Sequence, residues 1–338
     1  MSMRVLAPGL LTSFQDLGRY GHAASGVGRA GAMDAVALRI ANALVGNQAH
    51  AAGLEITLRG PRLQIEEDCV LAVAGADIDS RCNGEALPNW RPWLVRRGTQ
   101  MDFGAVRAGA RAYLAVAGGF AVESVLASRS TDINAALGPL GGRALASGDV
   151  VTIGSSDAFA RLHSRLSTHA SGRQAVSDVT PVRWSVDPSP WFAADIPAAI
   201  AIERGAHFGY LDERSQHALF GSEFRVAMQS NRVGFRLEGP VLTLQAPLEL
   251  VSEGVAPGTV QLPAGGQPII LMAEAPTTGG YPRIAHVAEV DLAALAQCKP
   301  GDRLRFVETS LADAQSRYLE RERMLHALFQ TIDEHLAA

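Results

Sequence analysis

The chain has 338 residues, 47% of them hydrophobic, and a net charge of −4 with no basic run, so it can bury a large core and offers no electrostatic footprint for nucleic acid. Its three cysteines, Cys69, Cys82 and Cys298, are odd in number and form no C-x-x-C pair, which argues against a disulfide framework or a zinc site and fits a cytoplasmic protein. The apolar runs are too short to span a bilayer, and the polar Ser13-Phe14-Gln15-Asp16 is unlike a secretory signal, so no membrane association is expected.

In chain order, the first feature is a polar stretch bunched between glycines. It holds Gln15, Asp16, Arg19, His22 and Arg29 and reads as an ordered loop that shows these side chains to solvent, a ligand or a partner. A surface loop with an internal Asp16–Arg19 pair is the other reading. Gly26-Val27-Gly28-x-x-Gly31 matches the dinucleotide fingerprint, but no buried strand precedes it and no βαβ pattern surrounds it, so no Rossmann unit is expected. Met33, Val36, Ala37, Ile40, Ala41 and Leu44 then form one stripe of an amphipathic helix that stops at Gly46-Asn47.

From Leu54 the period changes to two. Leu54, Ile56 and Leu58 alternate with polar residues, Gly60-Pro61 turns the chain, and Leu63-Gln64-Ile65 continues it. Short segments of the same kind follow at 70–73, 93–95, 112–116 and 150–153, a spacing that points to an antiparallel barrel or sandwich. Apolar periodicity fades between residues 155 and 197, where Pro181, Pro188, Pro190 and Pro197 cluster.

The second half repeats the first. Leu58-Arg59-Gly60-Pro61 is echoed by Leu237-Glu238-Gly239-Pro240, Gly118-Gly119-Phe120 by Gly279-Gly280-Tyr281, and Gly148-Asp149 by Gly301-Asp302, in the same order. The expected fold is mainly β with a few helices. It comprises a first β-barrel domain over residues 1–160, a linker over 161–198, a second barrel over 199–309, and an amphipathic C-terminal helix over 310–338 opened by Ser310-x-x-Asp313. Within the second copy, the stretch Val251–His286 is densest in glycine and proline and is the first place to look for a ligand.

Seven motifs carry a family resemblance: Gln15-Asp16-Leu17-Gly18-Arg19, Arg29-Ala30-Gly31-Ala32-Met33-Asp34, Ala43-Leu44-Val45-Gly46-Asn47, Ala115-Val116-Ala117-Gly118-Gly119, Ser128-Arg129-Ser130-Thr131-Asp132, Ser230-Asn231-Arg232-Val233-Gly234 and the Val251–His286 stretch. Together they resemble the allophanate hydrolase subunit 2 family, also called the 5-oxoprolinase C-subunit, biotin-dependent carboxyltransferase or KipI antagonist family. The resemblance implies cyclophilin-like β-barrels and a partner, the KipI-like B-subunit. With a LamB/YcsF-type A-subunit, it implies an ATP-dependent 5-oxoprolinase that opens 5-oxoproline to glutamate. Two alternatives come with it: the carboxyltransferase of a urea or amide carboxylase fed by biotin on a carrier, and a non-enzymatic antagonist of a KipI-like inhibitor of a sensor kinase. The chain departs from the family in having Tyr20, Gly28 and Ala30 where Pro, Pro and Ser are common, and Glu274-Ala275-Pro276 in place of Asp-x-Gln.

Opening a resonance-stabilised lactam at neutral pH requires activation, which ATP supplies by phosphorylating the amide oxygen. Such a site calls for arginines and convergent backbone N–H groups. Arg232 and Glu253 are the expected catalytic residues. Asn231, Gln261 and the turn Thr277, Thr278, Gly279, Gly280 and Tyr281 are the expected substrate contacts, with no metal. A structural ion pair is the competing reading for both Arg232 and Glu253. No P-loop motif is present to hold ATP.

Overall fold

The stripe over residues 33–44 forms α1 (Ala35–Leu44), capped by Asp34, whose Oδ1 accepts the Ala37 N–H at 2.9 Å. Asp34 is held in turn: its N–H donates to the Tyr113 hydroxyl at 2.8 Å, and that hydroxyl donates to Glu55 Oε2 at 2.7 Å. Burial, helped by the neighbouring Glu55 and Asp34 carboxylates, pushes the Tyr113 phenol well above the ordinary tyrosine range, so it stays a neutral donor.

The computed structural model describes residues 1–170, 178–192 and 198–337, and the chain divides into two units. The first comprises Met1–Gly18, Asp34–Ala193 and Leu325–Ala338; the second comprises Arg19–Met33 and Ala194–Met324.

The first unit is built on β1 (Ser2–Ala7), β2 (Leu11–Gln15), β3 (Gly53–Thr57), β4 (Arg62–Ile65), β5 (Cys69–Cys82), β6 (Glu85–Ala86), β7 (Pro92–Val95), β8 (Gln100–Val116), β9 (Val150–Thr152) and β10 (Val179–Pro181). They run in the order β10-β7-β5-β8-β4-β1-β9, with β3 pairing β2 and β8, and β6 pairing β5. The long β8 pairs β4 near its start, with Leu63 opposite Met101, and β3 near its end, with Leu54 opposite Leu114. The β5–β8 register slips three times between Gly75 and Ser80. Such bulges bend a pair of strands sharply, which lets one ladder wrap a core. Gly75 has φ +92°, and a Cβ there would strike the Arg111 carbonyl, so glycine is required at that bend. Phe14, Trp93, Phe103 and Leu114 fill the interior.

The sequence reads 161–198 as a linker. Its described parts are ordered against this unit instead: α3 (Asp157–Ala170), which follows the short helical turn α2 (Pro139–Gly142), runs into the stretch, and β10 extends the β7 edge with Val179 opposite Val95. Three residues of strand are too few to show alternation. Residues 171–177 and 193–197 lie outside the described residues.

The second unit is a closed barrel of β11 (Ala198–Arg204), β12 (Glu223–Val226), β13 (Gly234–Glu238), β15 (Thr259–Gln261), β16 (Ile269–Leu271), β18 (Arg283–Val287) and β19 (Arg303–Glu308), in the order β11-β18-β15-β16-β13-β12-β19. The parallel pair β11–β19, with Ile200 opposite Phe306, closes it. Phe224, Phe235 and Phe306 are fully buried at its centre, each worth about 1.5–3 kcal/mol of hydrophobic stabilisation. Two short strands, β14 (Glu253–Gly254) and β17 (Thr278–Gly279), leave the barrel and pair only with each other. The helices α4 (Glu213–Gly221) and α5 (Leu292–Ala296) flank the strands.

One echo between the halves is structurally literal. Gly148 donates to the Val5 carbonyl while the Val5 N–H donates to the Asp149 carbonyl, both at 2.8 Å; Gly301 and Asp302 make the same reciprocal pair with Val226, at 2.8 and 2.9 Å.

The chain's final helix, α6 (Leu311–Ala337), starts where Ser310 Oγ accepts the Asp313 N–H at 3.1 Å, as the capping signature predicts. Ala314, Leu325, Ile332 and Leu336 are buried, whereas Leu311 at its first position is exposed. Among the described residues no helix is long and apolar enough to cross a membrane.

Candidate functional site

The second unit carries a cleft of about 390 Å³, lined among others by Gly205, Gly254, Val255, Thr259, Arg283 and His286. Its floor is the β15–β18 pair, where the register slips: Val260 faces Ala285, but Gln261 faces Arg283, so Ile284 is the extra residue of a bulge. The loop 205–207 pins Arg283 on both sides. Its N–H donates to His207 Nδ1 at 3.1 Å, and its carbonyl accepts the His207 N–H at 3.0 Å. A Cβ at Gly205 would overlap that same carbonyl, so glycine permits the close approach.

The β14–β17 ribbon lies over this pair. Glu253 and Gly279 are opposite each other in the ribbon, and each meets one member of the pair below. The Glu253 carboxylate accepts from the Arg283 guanidinium, and a Cβ on Gly279 would overlap Gln261 Nε2. Glu253 and Arg283 are both partly exposed, and a pair of that kind contributes only about 0.2–1 kcal/mol. Gln261 is 4% exposed, and its Nε2 is buried with no hydrogen-bond partner. A native fold rarely leaves such a donor without a reason.

His286 stands on the same strand as Arg283. Partial desolvation of this exposed side chain lowers its pKa from the ordinary 6.5, against the opposing pull of Glu203 and Glu289, so at neutral pH the cleft holds a mostly uncharged imidazole. Because the folded pKa is depressed, the unfolded chain takes up the proton first, and stability falls as pH drops below about 6.5 towards the folded value. His286→Gln is expected to flatten that part of the stability–pH profile in urea titrations, and an unchanged slope would refute the assignment.

The other expected site residues are dispersed. Arg232 is buried: its Nε donates to Glu274 Oε1 at 2.6 Å and its Nη2 to the Gly31 carbonyl at 2.7 Å, the arrangement that the ion-pair reading expects. Asn231 is exposed and folds back, its Oδ1 accepting the N–H groups of Val233 and Gly234. Thr277 holds the ribbon through its carbonyl, which accepts the Val255 N–H at 3.1 Å, while Thr278, Gly280 and Tyr281 are exposed along it.

The loop expected to display polar groups buries most of them. Gln15 and Asp16 close the first unit's β2, and Asp16 collects four donors: Ser128 Oγ (2.7 Å), Ser130 Oγ (2.5 Å), the Arg129 N–H (2.6 Å) and the Gly18 N–H (2.8 Å). Gln15 Nε2 donates to the Thr131 carbonyl at 3.0 Å. In the second unit Arg19 is buried, with its N–H bonded to the Arg29 carbonyl at 2.6 Å; Arg29 lies 4.5 Å over the Tyr20 ring, and His22 opens a single helical turn at 23–25. Gln15 and Asp16 are therefore tied into the scaffold by partners from distant parts of the chain, whereas His22 and Arg29 stay half-exposed.

Arg283, His286, His207 and Thr259 were not singled out by sequence. One signal was present: in Arg283-Ile284-Ala285-His286-Val287 two buried residues fall side by side, a break in alternation that marks a bulge. Among the described residues no group of three His, Cys, Asp or Glu side chains is placed to hold a metal ion.

The family pattern described as carboxyltransferase domain, subdomain A and B, matches residues 25–308. The chain belongs to this family. It is similar to the 5-oxoprolinase C-subunit of Escherichia coli (strain K12), with 38% identity over 327 residues that cover 94% of this chain and 97% of that one. It is also similar to the 5-oxoprolinase C-subunit of Haemophilus influenzae, with 33% identity over 95% of this chain and 96% of that one. Among solved structures, the urea carboxylase of Kluyveromyces lactis superposes with a TM-score of 0.85 at 30% identity, covering 96% of this chain and 29% of that one. The family match thus spans most of both units, the ten-stranded sheet and the closed barrel.

Proposed function

We propose that this carboxyltransferase-family chain is the C-subunit of an ATP-dependent 5-oxoprolinase, converting 5-oxoproline, ATP and water to glutamate together with a KipI-like B-subunit and a LamB/YcsF-type A-subunit. The observation that carries this reading is two-way coverage: the chain and the Escherichia coli 5-oxoprolinase C-subunit match over 94% and 97% of their lengths. The resemblance to urea carboxylase spans only 29% of that larger chain, so it supports a shared domain.

The cleft suits a small amide. Arg283 and the neutral imidazole of His286 line it, and the unpartnered Gln261 N–H₂ stands opposite Arg283 in the β15–β18 ladder. It suits a nucleotide poorly, because Arg283 is already offset by Glu253 and three phosphates need a surplus of positive charge. In this reading ATP is held mainly by a partner protein, and this chain binds and orients the lactam while the activated amide oxygen is phosphorylated.

The purified three-protein assembly is expected to release glutamate from 5-oxoproline only with ATP and only when this chain is present. No turnover with all three proteins present would refute the proposal. Carboxylation of urea from a biotinylated carrier would favour the second reading, a biotin-dependent amide carboxyltransferase, which the 0.85 TM-score to urea carboxylase supports.

A further inference from the structure

Resting on that reading, we infer that Arg283 and Gln261 form a recognition pair for a small carboxylate bearing an adjacent amide, and that the β14–β17 ribbon is a lid whose Glu253 carboxylate occupies the place of the substrate's own.

Three observations converge on this. The first is that the ribbon pair and the floor pair match residue for residue: Glu253 sits on Arg283 and Gly279 on Gln261. A carboxylate is thus already seated on the guanidinium, and the one residue type without a side chain is seated over the carboxamide. The second is that Gln261 Nε2 is buried and unpartnered, a donor whose acceptor is missing from the chain itself. When the ribbon lifts, two donors stand opposite each other across one ladder, at the roughly 5 Å spacing of facing side chains. That spacing suits a carboxylate on Arg283 and a ring carbonyl on Gln261.

The third is how lightly the ribbon is held. It is two residues long on each strand and is no part of the barrel; a backbone bond from Val255 to Thr277 joins its two strands to each other, and the partly exposed Glu253–Arg283 pair joins it to the strands below. A ribbon of that length has little stability of its own. The Arg283 backbone, in contrast, is held independently of the ribbon, by its two bonds to His207 and the close approach of Gly205.

The test is binding without ATP, by calorimetry on the assembled complex, with three probes: 5-oxoproline, cyclopentanecarboxylate (no amide) and 2-pyrrolidinone (no carboxylate). Glu253→Gln removes the internal competitor and is expected to tighten both carboxylates about three- to fivefold while leaving 2-pyrrolidinone unchanged. Arg283→Gln is expected to weaken both carboxylates at least about tenfold, and Arg283→Lys, which keeps the charge, to restore part of the loss. Gln261→Leu is expected to weaken 5-oxoproline and 2-pyrrolidinone and spare cyclopentanecarboxylate. Unchanged carboxylate affinity in Glu253→Gln, or wild-type binding in Arg283→Gln, overturns the inference. The two readings fail separately. This binding pattern without glutamate release overturns the 5-oxoprolinase reading alone, whereas glutamate release with a KM indifferent to Glu253→Gln and Arg283→Gln overturns the lid alone.

Discussion

Arg232→Ala is expected to cost about 3–5 kcal/mol of folding stability and to leave the KM of whatever protein remains folded unchanged. The side chains of Arg232 and Glu274 are 5% and 3% exposed, and the guanidinium also donates to the Gly31 carbonyl. Truncating it strands the Glu274 carboxylate away from water and releases the segment 19–33 from one of its anchors. Against a typical total of about 5–15 kcal/mol, that is a large fraction, visible as a lower urea midpoint. The companion variant separates this role from catalysis. Replacing both partners, Arg232→Met with Glu274→Leu, is expected to recover most of the lost stability, because two well-packed apolar side chains leave no stranded charge. A substrate contact would behave the opposite way: near-normal stability in Arg232→Ala and a kinetic loss that the double replacement does not repair.

The same residue shows where reading the sequence stops. Elements with a local signature were legible. The α1 stripe, the Gly60-Pro61 turn between β3 and β4, and the Ser310 cap all have causes within a few residues, and the structure places each where its period predicts. The Gly-Asp echo was legible for the same reason, since a turn's chemistry travels with its dipeptide. Partners were not legible. Arg232 finds Glu274 42 residues away and Gly31 201 residues away, and Asp16 takes three of its four donors from 112 to 114 residues on. Polar residues between glycines look solvated until those distant partners are known, which is why Gln15 and Asp16 read as surface. Within the site, the glycine-rich turn and Gln261 were visible by composition, but Arg283 was not. Its place opposite Gln261 depends on a one-residue bulge at Ile284, and a slip of one residue exchanges the two faces of a strand.

Asp16→Ala is expected to destabilise the first unit by about 4 kcal/mol or more, the sum of several buried donors left without an acceptor at about 1–3 kcal/mol each. The carboxylate is 8% exposed and satisfies the hydroxyls of Ser128 and Ser130 and the N–H groups of Arg129 and Gly18. What it holds is under strain. Leu126, Ala127, Ala136 and Leu140 all adopt φ between +50° and +61°, where a side chain costs about 1–2 kcal/mol per residue, so the segment from 126 to 140 keeps its shape only while external bonds fix it. Asp16→Asn is expected to lose less, because its amide oxygen still accepts while its N–H₂ faces donors. Hydrogen exchange distinguishes this from a general loss of stability. The Arg129 amide, bonded to Asp16 Oδ2 at 2.6 Å, should lose protection in Asp16→Ala under conditions where the β5–β8 ladder keeps its own. Protection of that amide at the wild-type level, with an unshifted urea midpoint, would mean that the strain is borne by the glycines at 138, 141 and 142 rather than by the carboxylate.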